Sequence, residues 1–180
     1  MTTNRTIISV LILILCMSCS DGDMIIDQVL EETNSGGVLR TISTNNATLD
    51  YDNPSEAWSI TVEAQDKQDG GLLELVEVHA GLYRNAALVG SEELIKEIPA
   101  SSFSPGPHDL PRVEIQVSLE ELSTSLNITQ EDYLRTDEFR IRLVYVMTNG
   151  ETWTNTDASG TVLTSTFYVS PYLYTVPFSE

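Results

Sequence analysis

Two cysteines are all that this chain of 180 residues contains, and both fall near its start, at Cys16 and Cys19. No thiol remains from Ser20 onward, which excludes a disulfide framework or a thiolate metal site downstream and leaves stability there to packing. Histidine is equally scarce: His79 sits on an alternating stretch and His108 in a proline-rich loop. With no cysteine to join them, they fall short of the roughly four ligands, or three plus water, that zinc requires. Long apolar runs are missing too. The longest, IISVLILILCM at 7–17, is well under the roughly 20 residues needed to cross a bilayer. There is no GxSxG elbow to hold a hydrolase nucleophile and no internal repeat of about 20 to 50 residues. Positive charge is thin: 9 Lys+Arg stand against 27 Asp+Glu, a net charge of −18. Such a surface repels nucleic acid and anionic head groups at every approach, so neither is an expected partner.

What is present begins at the N-terminus. MTTNRT supplies one cation, Arg5, the apolar run follows, and Ser18-Cys19 closes it. That order predicts a cleaved signal peptide over 1–18. Cys16-Met17-Ser18-Cys19 resembles a bacterial lipobox, in which the cysteine thiol is acylated and the bond before it is cut. Cys19 is the expected lipidation site, because Ser18 before it is small whereas Leu15 before Cys16 is not. Each buried CH₂ of the acyl chains contributes about 0.8 kcal/mol, and more than one chain makes the anchor durable. Ser20, Asp21, Gly22 and Asp23 resemble the acidic export signal that follows the lipidated cysteine in surface lipoproteins of Bacteroidota, although acidic residues also suit any solvated linker. Residues 19–37 read as a flexible acidic tether ending in Ser35-Gly36-Gly37.

Residues 38–180 read as strands. Trp58, Ile60, Val62 and Ala64 alternate with polar neighbours, and Val76, Val78, Ala80 and Leu82 do so after the turn DKQDGG at 66–71. The second of these strands is expected antiparallel to the first. Val113, Ile115 and Val117 form a further strand beyond the loop FSPGPHDLP, whose prolines forbid regular structure. Ser118 to Glu121 has capping-box spacing, and Leu119, Leu122 and Leu126 follow on one helical face. Phe139, Ile141, Leu143, Tyr145 and Met147 alternate up to Asn149-Gly150, a hairpin signal, and FYVSPYLYTVPF closes the sheet. About seven or eight strands with one short crossing helix predict an all-β, immunoglobulin-like two-sheet β-sandwich.

The phrases VLRTIS, SITVEAQDKQDGGLLELVEVHAGL, IPASSF, LPRVEIQVSLEEL, FRIRLVYVMTNGETWTN and FYVSPYLYTV, behind Cys-Ser-Asp, resemble small β-sandwich surface lipoproteins of Bacteroidota, often encoded near SusC/SusD-type importers. The resemblance implies a SusE/SusF-like accessory role at the outer membrane, exposed on the cell surface, with a TonB-dependent receptor or SusD-like protein as partner and a glycan or peptide as cargo. It carries no catalytic motif, and the expected protein is not an enzyme. The alternatives are a single-domain glycan-binding module and, further off, a small hydrolase or a calcium-dependent adhesion domain. The paired carboxylates Glu92-Glu93, Glu120-Glu121, Glu131-Asp132 and Asp137-Glu138 are expected to solvate the surface. Asp66 and Asp69, near Asp50-Tyr51-Asp52-Asn53, are the calcium candidates, but they lack the alternation of an EF-hand loop; beyond the lipid on Cys19 no cofactor is expected. A two-residue loop at Asn149-Gly150 would pair Val146 with Trp153 and put the indole beside Val144 and Val146, away from the core row. That face is either covered, by the 119–126 helix or the C-terminal aromatics, or is an open contact surface of Trp153, Val144, Val146, Tyr172 and Tyr174.

Overall fold

In the computed structural model the described residues are 36–158, 163 and 169–179. The expected signal peptide, Cys19, Ser20, Asp21 and Asp23, and the tether up to residue 35 lie outside them. In chain order the elements are β1 (Val38–Asn46), β2 (Ala57–Gln65), β3 (Leu73–Arg84), β4 (Ala87–Pro99), β5 (Ser104–Pro105), β6 (Pro111–Ser118), α1 (Leu119–Leu126), β7 (Glu138–Met147), β8 (Thr152–Trp153) and β9 (Leu173–Pro177). They build two antiparallel sheets. The first is ordered β1-β2-β6-β5 and the second β4-β3-β7, with β8 and β9 sharing the far edge of β7. This is the ABED and C′CFG order of an immunoglobulin-like sandwich.

Period-two alternation decides which side chains meet between the sheets. Trp58, Ile60, Val62 and Ala64 of β2 and Ile115 and Val117 of β6 are buried from one side. Val76, Val78, Ala80 and Leu82 of β3 and Phe139, Ile141, Leu143, Tyr145 and Met147 of β7 are buried from the other. Each large side chain so removed from water contributes about 1.5–3 kcal/mol. Tyr51, Tyr133, Phe139 and Phe178 close one end of this core, with ring centroids 5.3 to 6.2 Å apart.

Three sequence expectations need correction. β2 and β3 do not pair; they belong to opposite sheets, and the turn at 66–71 carries the chain between them. Asp66 organises that turn: its carboxylate accepts from the backbone N–H groups of Gln68, Gly70 and Leu72 and from the Tyr145 hydroxyl at 2.8 Å. Its oxygens are therefore committed within the protein, and Asp50 likewise caps Asp52 and Asn53. Among the described residues no group of three or more His, Cys, Asp or Glu side chains is placed to hold a metal ion. The second correction is β4, a strand beyond those that alternation shows, and Glu92-Glu93 lie on it. Two register shifts against β3, at Val78/His79 and Ala80/Leu82, break its period.

The third concerns the carboxylates. Asp137 is buried and accepts a fork of bonds from Arg84, Glu92 takes Arg142, and Glu138 takes Arg140, whose guanidinium lies 4.1 Å from the Tyr83 ring centroid. α1 forms as expected, with both halves of the Ser118–Glu121 capping box present and Leu119 and Leu122 buried. It leads from β6 of one sheet toward β7 of the other. Among the described residues no helix is long and apolar enough to cross a membrane.

Candidate functional site

The proposed aromatic face turns on one residue of register. Gly150 N–H donates to Met147 O and Met147 N–H to Glu151 O, both at 2.8 Å, so three residues, Thr148–Gly150, form the loop. Gly150 takes φ +85, the left-handed position of such a loop. Trp153 consequently pairs with Tyr145, and Thr152 with Val146. A one-residue slip transfers a side chain to the opposite face, so Trp153 stands on the core side and not beside Val144 and Val146. Its indole packs against the core cluster and under Gly36, where a Cβ would overlap the ring. The indole N–H is buried and finds no acceptor among the described residues. Around it lies a small hollow of about 140 Å³ lined by Gly36, Gly37, Val38, Asp157, Ala158 and Tyr172.

The other members of that face are dispersed. Tyr172 is 1% exposed and its hydroxyl donates to Gly37 O. Tyr174 rests on Trp58 with centroids 5.3 Å apart and bonds Thr41 Oγ1 at 2.9 Å; burial pushes its phenol up to about 12. Val144 is nearly buried on the outer side of β7. No coplanar aromatic platform arises from Trp153, Tyr172 and Tyr174. His79 Nε2 lies 2.8 Å from Glu77 Oε2 on the outer face of β3, while His108 occupies the turn before β6 with φ 64.

Two features escape the sequence. The first is an open groove of about 760 Å³ between Pro54-Ser55 and the end of α1, lined by Glu120, Ser123, Thr124, Asn127, Thr129, Gln130 and Tyr133. Its hydroxyl and amide groups can hydrogen-bond a polar ligand, but Tyr133 is 3% exposed and stacks on Phe178. The groove therefore lacks an open ring face for a sugar to lie on. The second is β4. Among the described residues its only strand partner is β3, and of the five exposed large hydrophobics, Leu88, Val89, Leu94, Leu134 and Val169, three lie on this one strand.

Electrostatics narrows the choice further. Arg40 and Arg112 share Glu63, which lies between them in the sheet register and is only 1% exposed. Lys96 pairs with Glu121 at 2.7 Å and Arg135 with Asp52. Of the described cations, Lys67 alone has no ion-pair partner among the described residues. The uncompensated surface is thus carboxylate, and what docks on it is favoured by positive charge.

Comparison with models of protein families matches none of them, and comparison with curated proteins finds no matching sequence. The fold alone defines the class, an immunoglobulin-like β-sandwich with a crossing helix.

Proposed function

We propose that the protein is a lipid-anchored, non-enzymatic surface lipoprotein of the outer membrane. Cys19 carries the acyl chains, Ser20, Asp21 and Asp23 direct export, and the sandwich serves as an accessory contact subunit of a SusCD-like nutrient-uptake assembly. The observation that carries the contact role is the distribution of side chains. The aromatics a glycan platform would use, Tyr172 and Tyr174, are committed to packing, whereas apolar side chains stand exposed along β4. The lipobox-like stretch at 16–19 carries the anchor.

Growth with a labelled palmitate analogue tests the anchor. The parent and Cys16→Ala take up label and sediment with membranes, while Cys19→Ala does neither; a labelled Cys19→Ala protein would overturn the assignment. Replacing Asp21 and Asp23 by Ala should leave the label intact but reduce protease shaving from whole cells. A glycan-binding module is the second reading, favoured by the hydroxyl- and amide-lined groove at α1. Polysaccharide binding by the isolated protein, lost in Asn127→Ala or Gln130→Ala, would select it over the contact role.

A further inference from the structure

We infer that the open edge of β4 accepts an added strand: an extended segment of a different protein that carries a cationic and an apolar side chain in turn along one face, two residues apart. The inference rests on the contact-subunit reading and names its surface and the partner's chemistry. An edge strand exposes a row of unpaired N–H and C=O groups, and natural proteins usually blunt it with charge, shortness or bulges. β4 is long, spanning Ala87–Pro99, and its register assigns its side chains to two rows. Leu88, Leu94 and Glu97 lie opposite Tyr83, His79 and Glu77 on the outer face of the sheet. On the inner side Lys96 is drawn to Glu121 of α1.

The outer row specifies the occupant. Glu77 and Glu97 are direct cross-strand neighbours, and like charges placed opposite one another are destabilising. Glu77 is met by His79 and has the neutral Val144 on its other flank, but Glu97 has no ion pair among the described residues. An added strand would continue the row Val144–Glu77–Glu97 by one position, and a lysine or arginine there relieves the repulsion. Its neighbours two residues along would meet Leu94. A second copy of this chain is a poor occupant, because it would bring its own Glu92, Glu93 and Glu97 to the edge.

The test uses the protein as isolated from the membrane or medium and two capped nine-residue peptides, Lys-Thr-Val-Thr-Lys-Thr-Val-Thr-Lys and the same sequence with glutamate in place of each lysine, so that charged and apolar side chains take turns along one face. Hydrogen exchange should show the lysine peptide slowing amides within 94–98 and nowhere else, with the glutamate peptide inert. Glu97→Lys, which removes the like-charge contact and so should melt no lower than the parent, is expected to weaken the lysine peptide at least tenfold and to bind the glutamate peptide instead. Leu94→Asn should weaken the lysine peptide without exchanging the preference. Protection spread over other acidic surfaces, unchanged preference in Glu97→Lys, or a Leu94-dependent dimer in sedimentation would each overturn the inference. The acylation experiment is independent: an unlabelled parent removes the anchor and leaves the peptide result standing.

Discussion

Asp137→Asn is the substitution whose effect the structure specifies most closely. The carboxylate is 1% exposed and accepts from Arg84 Nε at 3.0 and 3.2 Å, from the guanidinium's terminal nitrogen at 2.7 Å and from Leu134 N–H at 2.8 Å. Arg84 also donates to Asp132 O at 3.0 Å, so the pair ties β3 to the connection between α1 and β7. Breaking a buried pair costs about 3–5 kcal/mol, chiefly through the charge left unpaired. Here that charge belongs to Arg84, whose side chain is 39% exposed and regains water, which reduces the expected loss to about 2 kcal/mol. The bonds from Arg84 hold the Asp137 carboxyl below its ordinary value of 3.8. With a folded value below the unfolded one, the stabilisation is complete above about pH 4 and is lost as pH falls through the depressed value. Urea unfolding of parent and variant from pH 7 to pH 2 should therefore show a gap of about 2 kcal/mol that closes on acidification. Other depressed carboxyls, Glu92 and Glu121 among them, acidify both proteins alike and drop out of the difference. A gap that persists unchanged to the lowest pH, or none at pH 7, would refute the reasoning.

At the alkaline end, burial raises Tyr174 to about 12 and places Tyr145 and Tyr172 higher still. Their folded values exceed the unfolded value of about 10, so circular dichroism should record stability falling between pH 10 and 12, and a flat profile would contradict it. Gly37→Ala drives a methyl into the Tyr145 ring and should lower the melting temperature far more than Ala at Gly90, where a Cβ meets nothing within 4 Å and only the φ of +81 is at issue. Equal losses at the two sites would show that the ring yields. Trp153→Ala should cost about 2–4 kcal/mol of folding stability, below the full range of about 3–5 for a buried indole because the side chain is only partly covered. A variant that melts with the parent would return Trp153 to the surface.

Strands that face a core on one side and water on the other are legible because their period is imposed by that asymmetry. β2, β3, β6 and β7 each show it, as α1 shows its capping box. What failed was contact between elements. Nothing in the apolar rows of β2 and β3 says whether they pair or face each other, since both arrangements bury the same residues. Asn149-Gly150 likewise suits either a two-residue loop or the last two positions of a three-residue one, and the choice moves Trp153 from one face to the other. Gly36 offered the only local hint: a glycine at the mouth of a domain can mark the close approach of a ring.

β4 is not legible in the sequence for a related reason, and the reason bears on its use. With its residues largely exposed on both faces, no burial asymmetry selects a period, and the two bulges erase what alternation remains. A strand whose only strand partner among the described residues is β3, that keeps leucines in water and sets a glutamate opposite a glutamate, is poorly explained by the stability of the domain alone. Its features fit together if part of its surroundings is supplied by another chain. In that case the apolar exposure and the like-charge contact are both resolved by one addition, a cationic strand laid against Leu94 and Glu97. The sequence could not display such a pattern by itself, because half of the environment that would give it meaning is encoded elsewhere.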